Sequence, residues 1–317
     1  MGKYIGKRIL LLVPAVFLVC VIVFALMRLV PGDAVDSIIY KYSSMGISAD
    51  RAEVEAMLGL DQPAVAQFFT WLKGVLTGDL GDSLFEYESV ASIIGRQLPV
   101  TLELGILTLL FSCILSIPIG LFCAAMQDSL PDYAFRVVAI LLVSIPVFWI
   151  ATMVIIYPSL WWGYAPPTTY VSFFENPLEN LRMFIIPALL GALMQAGIQM
   201  RTVRTMTLEV MRLDYIRTAW AKGTKERVIL FKHAFRNAMI PVVTMIGGSA
   251  ATMIGGSVIM ESVFNIPGIG QQVITALGSR DYPLVQGCVL VFSIFVMIVN
   301  LLVDLAYKWI DPRVELD

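Results

Sequence analysis

Six stretches of this chain run for roughly the thickness of a bilayer without an ionised side chain: Ile9–Met27, Leu104–Met126, Val137–Tyr157, Met183–Met200, Ala238–Met260 and Tyr282–Val303. A helix needs about 20 mostly apolar residues to cross the hydrocarbon core. The expected fold class is therefore all-α, a polytopic membrane protein with about six transmembrane helices. Composition supports this. Of 317 residues 58% are hydrophobic and only 15% charged, well below the roughly 25% charged residues of an ordinary soluble domain. The first run follows Lys3, Lys7 and Arg8 as a secretory signal would. It is longer than the ~7–15 apolar residues of a signal core, and no small-x-small cleavage site follows it, so a retained helix is expected.

Lysine and arginine asymmetry sets the expected orientation. Residues 201–237 carry Arg201, Arg204, Arg212, Arg217, Lys222, Lys225, Arg227, Lys232 and Arg236 against three acids, Glu209, Asp214 and Glu226. Residues 30–97 hold ten acids against Lys41, Arg51, Lys73 and Arg96. Six spans with both termini cytoplasmic put the basic segment inside and the acidic one outside. The loop 127–136, predicted to be cytoplasmic, has Arg136 as its only basic residue, and the longer basic loop outweighs it.

Residues 30–97 are too long for a bare loop and read as short surface helices. Asp50 with Glu53 forms a capping-box pattern, and Gly59 is a natural stop. Pro63 stands at the expected first helical position ahead of Ala64–Leu76, with Gly78 after it. Leu58, Phe68, Phe69, Trp71 and Leu72 would pack this segment onto a partner or onto the membrane surface, and packing is preferred. Within the spans Pro14, Pro118, Pro146 and Pro187 are expected kinks. Gly247, Ala251 and Gly255, flanked by Gly248, Thr252 and Gly256, make a small-residue stripe on span five. Close helix packing is the expectation there, and a dimer seam or pore-lining face is the alternative.

Several chemistries find no support. There is no G-x-x-x-x-G-K-[ST] loop, G-x-S-x-G elbow or H-E-x-x-H pair. His233 is the only histidine, and Cys20, Cys113, Cys123 and Cys288 lie in apolar stretches, so neither a metal site nor a disulfide framework is read. A net charge of −2 gives no nucleic-acid footprint. If ATP drives this protein, another chain hydrolyses it.

The informative segment is 201–237, far too polar to span. Leu208, Met211, Tyr215 and Ala219 fall near one helical face. Gly223 interrupts, and Val228, Phe231, Phe235 and Ala238 repeat the spacing. An amphipathic hairpin on the anionic inner leaflet and a docking element for a cytoplasmic partner both fit that pattern.

The run Asp214-Tyr215-Ile216-Arg217-Thr218-Ala219-Trp220-Ala221-Lys222-Gly223, followed by His233-Ala234-Phe235-Arg236-Asn237-Ala238-Met239-Ile240-Pro241, resembles the cytoplasmic loop of ABC-importer permeases. The resemblance is closest to the first permease of the oligopeptide, dipeptide and nickel branch. Further matches are Leu29-Val30-Pro31-Gly32-Asp33, Leu58-Gly59-Leu60-Asp61-Gln62-Pro63, Gly78-Asp79-Leu80-Gly81-Asp82-Ser83, Glu261 to Gly270, Arg280-Asp281-Tyr282-Pro283 and Asp311-Pro312-Arg313. Their order and spacing cover nearly the whole chain.

That resemblance implies a type I importer in the bacterial inner membrane. This chain would be a permease without catalytic residues, cofactor or metal of its own. Its implied partners are a second homologous permease, two ATPase subunits that hold ATP and Mg, and an extracytoplasmic binding protein. The division implied is 1–30 for the N-terminal tip and first span, 31–97 for an extracytoplasmic helical segment, and 98–317 for a five-helix core with coupling loop 201–237. Asp214, Tyr215, Ile216, Arg217, Thr218, Ala219, Trp220, Ala221, Lys222 and Gly223 become the ATPase-coupling candidates. Family consensus opens this motif with Glu-Ala-Ala, whereas Arg217 and Thr218 hold the first two places here. Trp220 is expected to pack between the loop helices. Gln195, Gln199 and Asn300 are the pore-lining candidates, with interhelical hydrogen bonding as the plainer reading. Peptides are the expected cargo and nickel or a metal chelate the alternative. An ATP-independent transporter would call for internal repeats or a charge relay, and neither is present.

Overall fold

The computed structural model describes residues 2–29 and 34–310. Within them the side chains of 2–5, 7–9, 254, 256, 304 and 306–310 are excluded. The motif residues Val30–Asp33 and Asp311–Arg313, and the side chains of Lys3, Lys7, Arg8 and Asp304, therefore lie outside the described residues, as do the surroundings of Gly256.

In chain order the helices are α1 (Gly2–Leu29), α2 (Ala34–Ser44), α3 (Arg51–Met57), α4 (Ala64–Thr77), α5 (Val90–Ala125), α6 (Leu130–Ser144) and α7 (Val147–Trp162). They continue with α8 (Pro177–Met211), α9 (Asp214–Ala221), α10 (Glu226–Val228), the π turn Ile229–Ala234, α11 (Phe235–Phe264), α12 (Ile269–Ser279) and α13 (Tyr282–Ile310). No β-strand occurs among the described residues, and Asp82 and Ser89 form an isolated bridge. Four helices are long and apolar enough to cross a membrane, or six spans if each of two bent helix pairs counts as one.

The largest departure from expectation is the third span. Val137–Tyr157 is not one rod: α6 and α7 meet at 92°. Pro146 stands at the N-cap of α7, and the preceding Ile145 is extended at φ −93, ψ 129. A proline ring crowds the residue before it out of the helical region, which fixes where the break falls. Spans two and four also run longer than their apolar cores, starting at Val90 and ending at Met211. Hydropathy marks the part that lipid must accept, whereas the hydrogen-bond ladder continues past it.

The chain forms two compact units. The first comprises Met1–Val100 with Pro267–Met297. Its core joins Val90 and Ile93 of α5 to Ile269 of α12 and Leu284 and Cys288 of α13. A smaller cluster of Val35, Ile38 and Val54 holds α2 to α3. Aromatic edges fix α4 on α1, with the Phe68 ring 5.3 Å from Phe24 and 6.2 Å from Phe17. Phe68 thus packs within the chain, on α1, where a partner or the membrane surface was expected, and Phe69 stays exposed. Gly59 and Gly78 end α3 and α4 in left-handed backbone as expected. Asp50 does occupy the N-cap of α3, but its side chain makes no capping hydrogen bond, so the capping box does not close.

Polar links tie the first turns of α5 and the loop before it to the segment around α12. Gln97 Nε2 donates to Gln272 Oε1 at 2.8 Å, Gln272 donates in turn to Glu86, and Ser83 donates to the buried Asp281. Arg28, at the end of α1, donates to Gln67 and lies over the Phe24 ring.

The second unit comprises Thr101–Ile266 with Ile298–Asp317. Here α8 is the central post, packed on α6 and α11. Leu121, Val203 and Val242 form one buried cluster, and Cys123, Ala139 and Met200 another. The small-residue stripe of α11 divides. A Cβ on Gly247 would stand 2.6 Å from Val303 Cγ1, so that side is a close helix contact, whereas one on Gly248 or Gly255 would meet nothing.

Candidate functional site

The segment 201–237 is a stem, a short helix and a return rather than two equal helices. Residues 201–211 continue α8 without a break. Leu213 turns extended at φ −73, ψ 149, and α9 starts at Asp214, whose carboxylate suits the positive end of a helix. After Ala221 the chain reverses through Gly223 at φ +75, with the Gly223 N–H donating to Trp220 O at 2.9 Å and Thr224 N–H to Ala219 O at 3.2 Å. That left-handed conformation costs a β-carbon roughly 1–2 kcal/mol, which is why glycine holds the turn.

One face of α9 is anchored. Ile216 has no exposed surface, and Ala219, three residues on, is half-buried. Asp214, Tyr215, Arg217, Thr218, Trp220, Ala221, Lys222 and Gly223 are exposed. The apolar face thus runs through Ile216 and Ala219, where the sequence spacing had put Tyr215 with Ala219. The second half shifts as well. Val228 and Phe231 are 41% and 58% exposed, while Ile229, Leu230, Ala234 and Ala238 are buried. The π turn Ile229–Ala234, with its i→i+5 bonding, breaks the 3.6-residue count inside this half, and Ala238 beyond it keeps its expected buried place.

Trp220 is 47% exposed and does not pack between the loop helices as expected. Together with Phe231 it leaves large apolar surface on a strongly basic loop. The Asp214–Arg217 pair, 3.3 Å apart, has both side chains mostly in solvent, so it contributes little. Tyr215 is tied inward. Its hydroxyl accepts from Asn237 Nδ2 at 2.7 Å and donates to the His233 carbonyl at 3.3 Å.

Above this loop, Arg204 of α8 grips Asp132 of α6. Nε donates to Oδ1 at 2.8 Å and Nη2 to Oδ2 at 2.7 Å, and the backbone N–H of Asp128 adds a third bond at 3.0 Å. Arg136 Nε lies 3.6 Å from the same carboxylate. Sequence reasoning counted Arg204 and Arg136 only as basic loop residues. A lone acid one turn into a helix before an apolar run was the available signal, but nothing in it names the partner.

The three pore-lining candidates separate. Gln195 lines a cavity of about 170 Å3 with Thr108, Ser249, Thr252, Met253 and Ser257. It is uncharged, with hydroxyl, amide and thioether groups on its walls. Gln199 is buried in helix packing, with Oε1 accepting from Ser116 at 2.9 Å, so the interhelical reading holds there. Asn300 is exposed on α13. The structure does not bring the three together. Among the described residues no group of three or more histidine, cysteine or acidic side chains is placed to hold a metal.

Residues 116–316 match the family model of the binding-protein-dependent transport system inner membrane component, and residues 1–105 match the N-terminal model of the same transport-system membrane component. A Brucella suis biovar 1 (strain 1330) protein, provisionally named a peptide transport system permease, is 39% identical over 100% of both chains. The dipeptide transport system permease protein DppB of Escherichia coli K12 is 35% identical over 99% of each. Among solved structures, a chain of the MetNI methionine ABC transporter in an inward-facing conformation superposes with TM-score 0.55 at 19% identity, covering 69% of this chain and 96% of its own. That likeness extends to the fold alone.

Proposed function

The chain belongs to the inner-membrane-component family of binding-protein-dependent transport systems, and from that premise we propose that it forms half the pore of an ATP-driven peptide importer. It is a multi-pass permease subunit of the bacterial inner membrane and not itself an enzyme. Family membership implies ATPase and binding-protein partners. The finer composition proposed is one second, homologous permease, two ATPase subunits binding ATP and Mg, and one extracytoplasmic binding protein.

The observation that carries this reading is α9: a helix of eight residues anchored by the buried Ile216, with Arg217 and Thr218 exposed on other sides and Trp220 and Lys222 exposed at its C-terminal end. Ile216 ties this helix to the protein, and Trp220, Val228 and Phe231 remain as exposed apolar surface for a partner to cover. We place α9 on the cytoplasmic side, with both termini cytoplasmic, because the basic residues cluster there and the acidic ones lie in the segment before α5. A closed ATPase dimer would then favour one pore state through its grip on α9, and it does so only by binding that state more tightly.

Peptide cargo is supported by the names of full-length relatives. The uncharged cavity beside Gln195, walled largely by Leu104, Leu109, Val147 and Met260, suits a neutral chain, and the Gln195 amide lines it as a group that could donate to and accept from a peptide backbone. Reconstitution with a second permease, the ATPases and the binding protein of its transport system tests the proposal. ATP-dependent uptake of a labelled dipeptide or oligopeptide is expected. Uptake of nickel chelate alone would transfer the reading to metal import, and uptake without ATP would overturn it.

A further inference from the structure

Tyr215 is the one large side chain of α9 that reaches back to another element through hydrogen bonds rather than apolar contact. Its phenol oxygen accepts from Asn237 Nδ2 at 2.7 Å and donates to His233 O at 3.3 Å, while Asn237 Nδ2 also lies 3.3 Å from His233 O. Phenol, amide and carbonyl thus close a three-membered ring of polar contacts. Both partners sit where the π turn Ile229–Ala234 gives way to α11, a helix that runs from Phe235 to Phe264 and supplies Ser249, Thr252 and Met253 to the cavity. Helix α9 itself packs against the same π turn. Isolated π turns are strained irregularities that persist mostly at functional positions.

We propose that Tyr215 is a positioning residue, not an ATPase contact: its hydroxyl fastens the coupling helix to the base of α11, so that displacement of α9 carries the pore-lining helix with it. The proposal rests on reading α9 as the ATPase-docking helix. Apolar contact through Ile216 alone resists separation but permits sliding and rotation, because it has no preferred direction. Directional hydrogen bonds to two points on one turn remove that freedom. Loss of the hydroxyl should leave α9 docked but let it slip, so that nucleotide turnover continues while less of it moves cargo.

The experiment uses the assembled transporter in proteoliposomes and reads ATP hydrolysed per peptide imported. Tyr215→Phe removes one oxygen and keeps the ring. Asn237→Ala removes the partner, and the double variant closes the cycle. A Thr218→Cys background reports contact between α9 and the ATPase by cross-linking. The expected result is retained cross-linking with about a fivefold rise in ATP consumed per peptide, the factor that one lost hydrogen bond commonly yields. The double variant should be about as impaired as Tyr215→Phe, which already removes both hydrogen bonds of the hydroxyl, while Asn237→Ala keeps the one to His233 and should be milder. Unchanged stoichiometry in Tyr215→Phe overturns the proposal, as does loss of cross-linking in Tyr215→Phe alone, which would make the phenol a docking contact. No cross-link in the Thr218→Cys background itself would instead refute the docking role of α9, a distinct failure that takes this inference with it.

Discussion

Arg204 and Asp132, 72 positions apart, meet through two parallel hydrogen bonds of 2.8 and 2.7 Å, and Asp132 has no exposed surface. The fork matches the two carboxylate oxygens one to one, a geometry lysine cannot reproduce. This pair holds the start of α6 to α8 just before α8 runs down to the coupling helix. Removing one partner strands the other charge. Arg204→Met should therefore destabilise the detergent-solubilised subunit by about 3 kcal/mol, at the low end for buried pairs because Arg204 keeps some exposure. Arg204→Lys should recover only part of that loss. Thermal unfolding of the two variants side by side measures it, and equal midpoints for wild type and Arg204→Met would contradict the account.

Gly223 reverses the chain at φ +75. A β-branched residue there is strained by about 1–2 kcal/mol. Gly223→Val should lower ATP-dependent uptake severalfold while the subunit still reaches the membrane at normal abundance. Immunoblots of membranes beside uptake rates separate the two effects.

Neighbouring glycines on α11 should behave oppositely. A Cβ at Gly247 would lie 2.6 Å from Val303 Cγ1, on a stiff β-branched side chain with little room to yield. Gly247→Ala should cost about 1–3 kcal/mol by overpacking. Gly248→Ala meets nothing within 4 Å of the new carbon, so it should be neutral or stabilise the helix by about 0.5–1 kcal/mol. Unfolding midpoints of the two subunits provide the comparison.

Ile216 and Trp220, one turn apart on α9, differ in burial, the first fully enclosed and the second half exposed. Ile216→Ala removes a fully buried side chain and should cost about 2–4 kcal/mol, seen as earlier unfolding or proteolysis within 201–237. Trp220→Ala should leave the unfolding midpoint in place and weaken co-purification of the ATPase, because that ring is half exposed and has the aromatic character typical of interface hot spots. A shared loss of stability in both variants would show that Trp220 belongs to the core after all.

Much of the candidate site was legible from residue order, though not its orientation on the helix. The boundaries of α9, its acidic first turn and the stop at Gly223 follow from local rules that involve a few neighbouring residues. The phase of the apolar face did not, because a 3.6-residue count assumes a continuous α-helix, and extended Leu213 before α9 and the π turn at Ile229–Ala234 after it each break that assumption. His233 and Asn237 appear in the motif, but nothing local assigns them to the Tyr215 hydroxyl. Gln195 and Gln199, one turn apart and chemically identical, end in a cavity and in a helix seam because different neighbours stand opposite them.

From its sequence alone this chain is committed to crossing a membrane several times, to apolar cores near the six expected positions, and to a basic segment that cannot enter lipid. Those properties are sums over adjacent residues, so order along the chain suffices to read them. Only the tertiary structure decided that the third span folds at 92° beside Pro146, that Asp132 chooses Arg204, and that the Tyr215 hydroxyl pairs with Asn237. Each of these is a choice among partners distant in sequence, and a buried polar group selects its partner by which helix comes within about 3 Å of it.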